Sequence, residues 1–473
     1  MKRILVRCLL VICLLCVGMG TISAQQAVVQ EENRTQSEQA ELHLTAAMIA
    51  NVAYNGELKT LARNWLMARG WQVLSYQPTP GEGGRLYIFA HRVQEHDIVF
   101  VTFPGTETIE DAKLDLHISR VPFGGHTPAE FAQKAGDMAG KSGDKPLVHR
   151  GFNEYVQKLL FTQPLPQMEN LTFGEEMARE LQDHPQRKLY LTGHSLGGAV
   201  ATLTAARLAD LGISPQQLEV ITFGAPAVGN EAFARAYEHK FSLTRVGMAG
   251  DPVKSILQSL TGGFVQFGQR VDWESKLTEH FPHEMVLYLD EAWRHYVDAK
   301  PAGELPKLAG EPQLHLQNAL YVAAPVFDMP KNLRRELPYM ERMVRELTEA
   351  TYTPQQQAEK KQDFRGMMKQ AKAKGCSYIL YQQYTGKRIR NEKDNYRLTL
   401  EECIYDGDGN ICYMQSRSTT TKDMTPVQAA AYLHVQGDAD RAQALNVGEE
   451  YAKRQDFSII DVNTEHNKNS ENN

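Results

Sequence analysis

A serine hydroxyl becomes a working nucleophile only when a neighbouring base takes its proton and its oxygen is held out on an accessible turn. The stretch Lys188-Leu-Tyr-Leu-Thr-Gly-His-Ser195-Leu-Gly-Gly-Ala-Val-Ala-Thr-Leu supplies such a turn. A short apolar run ends at Thr192, the turn Gly193-His194-Ser195-Leu196-Gly197 follows, and a small-residue helical pattern runs over 199–211 until Gly212 stops it. This is G-x-S-x-G between a strand and a helix, the context that gives the motif meaning. Gly193 and Gly197 suit a turn too sharp to admit a Cβ beside the neighbouring strand and helix. Ser195 then stands at a helix N-terminus, where the amide of Leu196 points at a developing oxyanion.

In doubly wound hydrolases the partners of such a serine come later in the chain, first a carboxylate and then a histidine. Asp251 closes the run Leu243-Thr-Arg-Val-Gly-Met-Ala-Gly-Asp251 and precedes a proline. That puts its carboxylate on the carboxyl-end rim of a sheet. Two histidines compete for the base. His280 is followed by Phe-Pro, and His283 heads an apolar helix carrying Met285, Leu287 and Tyr288. Spacing leaves both open. His149, His194, His239 and His295 lack the required order or position and are expected to serve packing, the surface or local hydrogen bonding. A second oxyanion donor belongs on the loop after an early central strand. Residues 97–106 read as that strand, and the amide of Thr106 is the candidate. A plain strand end accounts for Gly105-Thr106 equally well.

The elements that must hold these groups alternate. Helical patterns over 40–53 and 57–69 precede strands over 71–76 and 85–91. Helices over 148–161, 171–184 and 231–240 lie among strands over 97–106, 188–192, 218–223, 243–251 and 263–273, the last read as one strand. Such alternation predicts an α/β fold with a mostly parallel central sheet and helices on both faces. Residues 108–116 are helix-like beside the oxyanion loop, and the Gly-rich stretch 122–146 is a candidate lid or cleft border. After a Pro/Gly-rich linker the pattern changes to a smaller α+β domain. Strands are expected over 320–327, 378–384, 396–405 and 411–419, with helices over 333–348, 354–374 and 426–444. No chemical motif stands out there.

The chain has 473 residues, of which 42% are hydrophobic and 23% charged. That length is too great for one ordinary domain, and the composition is globular. The net charge is −6. It gives no reason to expect nucleic acid or an anionic membrane as partner. The N-terminus has a basic region (Lys2, Arg3, Arg7), an apolar run over 8–17 and a small-residue site at Ile22-Ser23-Ala24. Together these predict a signal peptide. The expected organisation is a signal peptide over 1–24, a flexible segment over 25–39 and a hydrolase domain over 40–300. A linker over 301–315, the α+β domain over 316–460 and a polar tail over 461–473 complete it. Three cysteines follow the signal peptide. Cys403 and Cys412 flank an Asp-Gly-Asp-Gly-Asn turn and are candidates for a cross-hairpin disulfide in an oxidising compartment, with Cys376 left over. The turn Asp406–Asn410 lacks the downstream glutamate of a calcium loop and is read as a hairpin turn.

From Val99 to Tyr288 the chain resembles the class 3 (fungal-type) lipases, a family of α/β-hydrolases. Gly193-His-Ser-Leu-Gly-Gly-Ala199 looks like their nucleophile elbow, and Thr222-Phe-Gly-Ala-Pro-Ala-Val-Gly-Asn230 is similar to their following strand and turn. Val148-His-Arg-Gly-Phe152 matches their V-H-x-G-F. Phe103-Pro-Gly-Thr106 with Asp111 and Asp115-Leu116 looks like the oxyanion loop and lid segment. The resemblance places the base on His283, five residues before Tyr288 as in H-x-x-x-x-Y. It implies a lipase using Ser195, Asp251 and His283, with the amides of Thr106 and Leu196 as oxyanion hole, and the signal peptide makes the expected enzyme an exported one, periplasmic or extracellular. The resemblance implies an acyl ester of a lipid (an acylglycerol) as substrate, transient contact with a lipid interface, and neither metal nor cofactor. Phospholipase A, short-chain esterase or thioesterase activity on the same fold is the alternative. A non-enzymatic scaffold is the further one, and no protein partner of the α+β domain is indicated. Pro104 stands where the family has arginine and Ala112 where its lid has tryptophan, which predicts weak activation by a lipid–water interface.

Overall fold

In the computed structural model, residues 34–461 are described except 55, 68, 77–84, 94–95, 106–118, 138–143, 166–169, 254–262, 278–279, 301–313, 315, 317, 353, 393 and 456–459. The signal peptide, Thr106, the helix-like stretch 108–116, most of the linker and most of the polar tail therefore lie outside the described residues.

Seven of the described strands before residue 274 belong to the central sheet: β1 (Gln72–Tyr76), β2 (Leu86–Val93), β3 (His96–Phe103), β4 (Lys188–His194), β5 (Leu218–Phe223), β6 (Ser242–Met248) and β7 (Gln269–Trp273). They form one sheet in the order β7-β6-β5-β4-β3-β2-β1, and a short strand from the far end of the chain, Ile460–Asp461, joins the β1 edge. The pairs from β3 to β7 are parallel. β2 runs antiparallel to both neighbours, and Ile460–Asp461 is parallel to β1. This is the mostly parallel central sheet expected from the alternation of strands and helices.

Both faces of the sheet are covered, as parallel strands require. In β4, Leu189 and Leu191 enter one core and Tyr190 the other; in β3, Val101 and Phe103 oppose Phe100. The first core packs under α3 (Leu196–Asp210) and the helices Arg150–Val156 and Phe173–Asp183. The second packs under α1 (Gln36–Val52), α2 (Glu57–Met67) and α4 (Met285–Asp298). α1 is buried nearly all round, Leu44, Ala46, Ala47, Met48, Ile49, Ala50 and Val52 being almost fully covered. A helix that is apolar on every side must be packed on every side.

What packs on the outer side of α1, α2 and α4 is the C-terminal part of the chain. α5 (Leu337–Tyr352) and α6 (Pro426–Gln436) contribute Met340, Met343, Leu347, Val427 and Leu433 to the same core as Leu44, Trp65 and Trp293. Behind them stands a second, six-stranded sheet made of Leu320–Val322, Val326–Asp328, Gln356–Gln357, Tyr378–Arg388, Tyr396–Asp406 and Ile411–Thr420.

The structure departs from the sequence expectations at several points. α1 begins at Gln36, inside the segment expected to be flexible. Thr35 and Glu38 form a capping box there, and Arg34 reaches Glu219 at 2.7 Å. Such a box satisfies two amides that the first turn of a helix leaves unpaired. The stretch 263–273 is two strands in different sheets: Phe264–Val265 pairs with Gly229–Asn230, while β7 pairs with β6, the chain turning at Gly268. Within 122–146 there is a helix, Pro128–Gly136, capped by Thr127 and anchored by buried Phe131. Residues 354–374 are helical only over Phe364–Ala373, because Gln356–Gln357 is captured by strand pairing with Tyr321 and Val322. The strand expected over 320–327 is interrupted between Val322 and Val326, and the helix expected over 426–444 breaks at Gly437. Cys403 faces Met414 across the hairpin, and a bulge between Ile404 and Tyr405 takes Cys412 out of register, so all three described cysteines are free thiols. The Asp406 carboxylate accepts from the Asp408 and Asn410 N–H groups of its own turn.

Candidate active site

The elbow is assembled by close approach of backbone. A Cβ on Gly193 would lie 2.4 Å from the Gly197 carbonyl carbon, and one on Gly197 would lie 2.2 Å from the Phe103 oxygen at the end of β3. Only glycine lets β4, α3 and β3 meet this tightly. Between them Ser195 takes a φ of 54° and a ψ of -125°. L-residues rarely adopt that conformation, and it persists only where the surroundings enforce it. The Ser195 N–H donates to the Phe223 carbonyl of β5 at 2.9 Å, which fixes the strained turn. Its hydroxyl does not cap its own helix. It faces His283 instead.

His283 Nε2 is 2.9 Å from Ser195 Oγ, and His283 Nδ1 is 2.9 Å from Asp251 Oδ2. A carboxylate can only accept, so Nδ1 carries the proton and Nε2 presents its lone pair to the serine hydroxyl. Asp251 stands just beyond β6. That is the carboxyl rim of the sheet, where such crevices form. Its Oδ1 accepts from the Val253 N–H at 2.8 Å. Its Oδ2 accepts a second hydrogen bond, from the Tyr288 hydroxyl at 2.7 Å, and that hydroxyl in turn accepts from the Met248 N–H at 3.0 Å. Burial, and then the adjacent Asp251 carboxylate, push the Tyr288 hydroxyl well above its ordinary pKa, so it stays a donor. Ser195, Asp251 and His283 are 6%, 2% and 5% exposed. In such a setting bulk water does not screen their mutual interaction.

Leu196 is the first residue of α3. Its N–H belongs to the turn that has no intrahelical partner. Thr106, the second expected donor, lies outside the described residues, but β3 delivers the chain to Gly105 directly beside the elbow. The rival histidine is elsewhere: His280 Nδ1 sits 3.1 Å from Glu284, not on the serine. His149 accepts from the Phe152 N–H at the start of its helix, and burial lowers its pKa to about 4. His239 is exposed, and His295 lies against Trp273. Among the described residues no group of three or more His, Cys, Asp or Glu could hold a metal ion. None of their helices is long and apolar enough to cross a membrane.

Two residues of this cluster carry no local sequence signal. Tyr288 enters the sequence reading as a residue of the helix after His283 and as its spacing partner, and its bond to Asp251 becomes visible once α4 is placed against β6. Tyr54, which follows α1, contacts the elbow at His194 and could not have been found by spacing.

Residues 100–259 match the model of the family described as Lipase (class 3). The chain is 42% identical over 78 residues to a lipase of Caenorhabditis elegans, a match covering 16% of this chain and 22% of that protein. It is 28% identical over 225 residues to a phospholipase A1 of Oryza sativa subsp. japonica, covering 44% of this chain and 46% of the relative. Among solved structures, lipase II from Rhizopus niveus aligns with 22% identity and a TM-score of 0.38, over 51% of this chain and 83% of that one. The chain thus spans less than half the length of the curated relatives it matches. The resemblance to class 3 lipases read from the sequence is borne out.

Proposed function

We propose that this chain is an exported serine hydrolase of the class 3 lipase type, cleaving acyl esters of lipids through an acyl-enzyme. His283 takes the proton of Ser195 as its oxygen attacks the ester carbonyl. Asp251, held by Tyr288 and the Val253 amide, fixes the imidazole tautomer and favours the imidazolium that forms. The amides of Leu196 and Thr106 receive the oxyanion. The imidazolium then protonates the departing alcohol, and a water activated by the same ring releases the acid. What supports this reading most is the chain of two 2.9 Å contacts, Ser195 to His283 to Asp251, on a backbone held at positive φ.

A second reading has its own support. The longer of the two curated matches is to a phospholipase A1, so an ester of a phospholipid stands beside an acylglycerol as substrate. One experiment addresses both. The purified protein is labelled with a fluorophosphonate and assayed on an acylglycerol, a phospholipid and a soluble short-chain ester, each beside Ser195→Ala. The expected result is labelling of the parent protein, none of the variant, and a loss on the order of 10⁴-fold or more in turnover. A folded Ser195→Ala protein that turns over any of the three at the parent rate would sink the hydrolase mechanism.

A further inference from the structure

His194, the residue before the serine, has both ring nitrogens committed. Nδ1 lies 2.6 Å from the Tyr54 hydroxyl, and Nε2 lies 2.7 Å from the main-chain carbonyl oxygen of His283. The carbonyl can only accept, so Nε2 carries the proton and Nδ1 accepts from Tyr54. His194 is 4% exposed, and its ring centroid is 4.6 Å from that of His283. Burial, and then the nearby His283, hold its pKa well below the ordinary histidine value, which keeps it neutral. That suits its place: a second cation here would oppose the charge His283 acquires when it takes the serine proton.

Tyr54 comes from outside the family match. It follows α1, well before residue 100, and its hydroxyl also fills the space above Gly105, where a Cβ would lie only 2.1 Å from it. One hydroxyl thus touches the strand end that leads to the proposed oxyanion loop and the elbow histidine that holds the backbone of the proposed base.

We infer that Tyr54 and His194 are positioning residues, which set the height of the His283 imidazole over Ser195 by gripping the His283 carbonyl. The inference rests on the reading of Ser195 and His283 as nucleophile and base. Side chains that do chemistry must be held to about half an ångström, and a shift of about 1 Å costs on the order of 10²-fold in rate. His283 sits on a turn before α4 and not within it, so its main chain needs such an anchor. Removing the Tyr54 hydroxyl leaves a buried nitrogen without its donor and frees the imidazole of His194 to turn off the carbonyl.

The test uses the full chain and four proteins: the parent, Tyr54→Phe, His194→Leu and His194→Gln, the last keeping an N–H donor. Turnover and KM on a soluble ester, the fluorophosphonate labelling rate and the thermal midpoint are measured together. Tyr54→Phe is expected to lower kcat about tenfold and His194→Leu on the order of 10²-fold, with KM within about twofold. His194→Gln is expected to recover most of what His194→Leu loses. Unchanged kcat in folded Tyr54→Phe and His194→Leu proteins, or a Gln variant as impaired as Leu with losses that follow the thermal midpoint, would overturn the positioning role while the hydrolase reading stands. A parent protein that neither turns over ester nor takes the label overturns both.

Discussion

The rim of the central sheet and the outer side of α4 use buried polar groups in opposite ways. At the rim, Ser195, His283 and Asp251 are joined by two hydrogen bonds, and one member changes charge during the proposed reaction. On the outer side of α4 the buried charges are closed on one another by ion pairs. Arg294 bridges Asp290 and Glu336, Arg69 reaches Glu346, and the Thr425 hydroxyl donates to Asp290. Further out, fully buried Arg441 donates to Glu402 and Asp438, and Gln428 holds the Val286 carbonyl at the start of α4. A site built for proton transfer keeps few partners around the groups that move. A junction built to hold a helix in place pairs the carboxylates Asp290, Glu336 and Glu346 with arginines. α4 belongs to both, since it carries Tyr288 on its inner side and Asp290, Arg294 and Tyr296 toward the C-terminal part.

The largest expected effect separates the two histidines near α4. His283→Ala should match the loss of Ser195→Ala, on the order of 10⁴-fold, and the double variant should lose no more, because the two act as one unit. His280→Ala should be far milder, since its ring faces Glu284. Rates for the four variants on a soluble ester decide it. A reversed pattern would move the base to His280 and break the distinction between rim and junction.

This contrast also explains what could be read from the sequence. The elbow was legible because its glycines, serine and strand–helix flanks are contiguous, and Asp251 because a strand ends beside a proline. His283 needed the family pattern, since spacing alone left His280 open. The C-terminal part was visible as strands and helices but not as a partner of the chain after α2 and of α4. Its links to them join residues far apart in sequence, such as Arg69 with Glu346 of α5 and Thr425 with Asp290, and each taken alone looks like an ordinary surface group. The single strand expected over 263–273 failed for the same reason: alternation marks extended chain and not which sheet receives it.

The next effect lies beyond α4, wholly within the C-terminal part. Arg441→Met removes the cation shared by Glu402 and Asp438, whose side chains are nearly unexposed. Leaving such carboxylates buried without their partner costs about 3–5 kcal/mol. The lower end is expected here, because Arg417 also holds Glu402 and Tyr352 also contacts Asp438. Chemical denaturation should show the loss, while kcat on a soluble ester below the transition stays at the parent value. A stable variant would mean that apolar packing holds the C-terminal part together without this cluster. A stable variant with reduced kcat would tie the C-terminal charges to the site itself.

The smallest effect concerns Glu291, on α4 beside Asp290 and 3.9 Å from Arg294. Burial, and then the like charge of Asp290, raise its pKa from 4.5 to about 7. Because the folded value is the higher one, the folded protein binds a proton that the unfolded chain has released between those two pH values. The stability Glu291 contributes is therefore fully present below about pH 4.5 and is lost as pH rises through about 7. Arg294 does not cancel this, since it is already engaged by Asp290 and Glu336 at 2.6 and 2.5 Å. Glu291→Gln imitates the protonated carboxyl at every pH. It should leave the thermal midpoint unchanged near pH 4.5 and raise it near pH 8, where the gain in stability is on the order of 1 kcal/mol after allowance for partial screening by solvent. A variant less stable than the parent near pH 8 would show that the contact with Arg294 outweighs the burial of the charge. α4 would then be held by ion pairs on its outer side as strictly as the imidazole is held by hydrogen bonds at the rim.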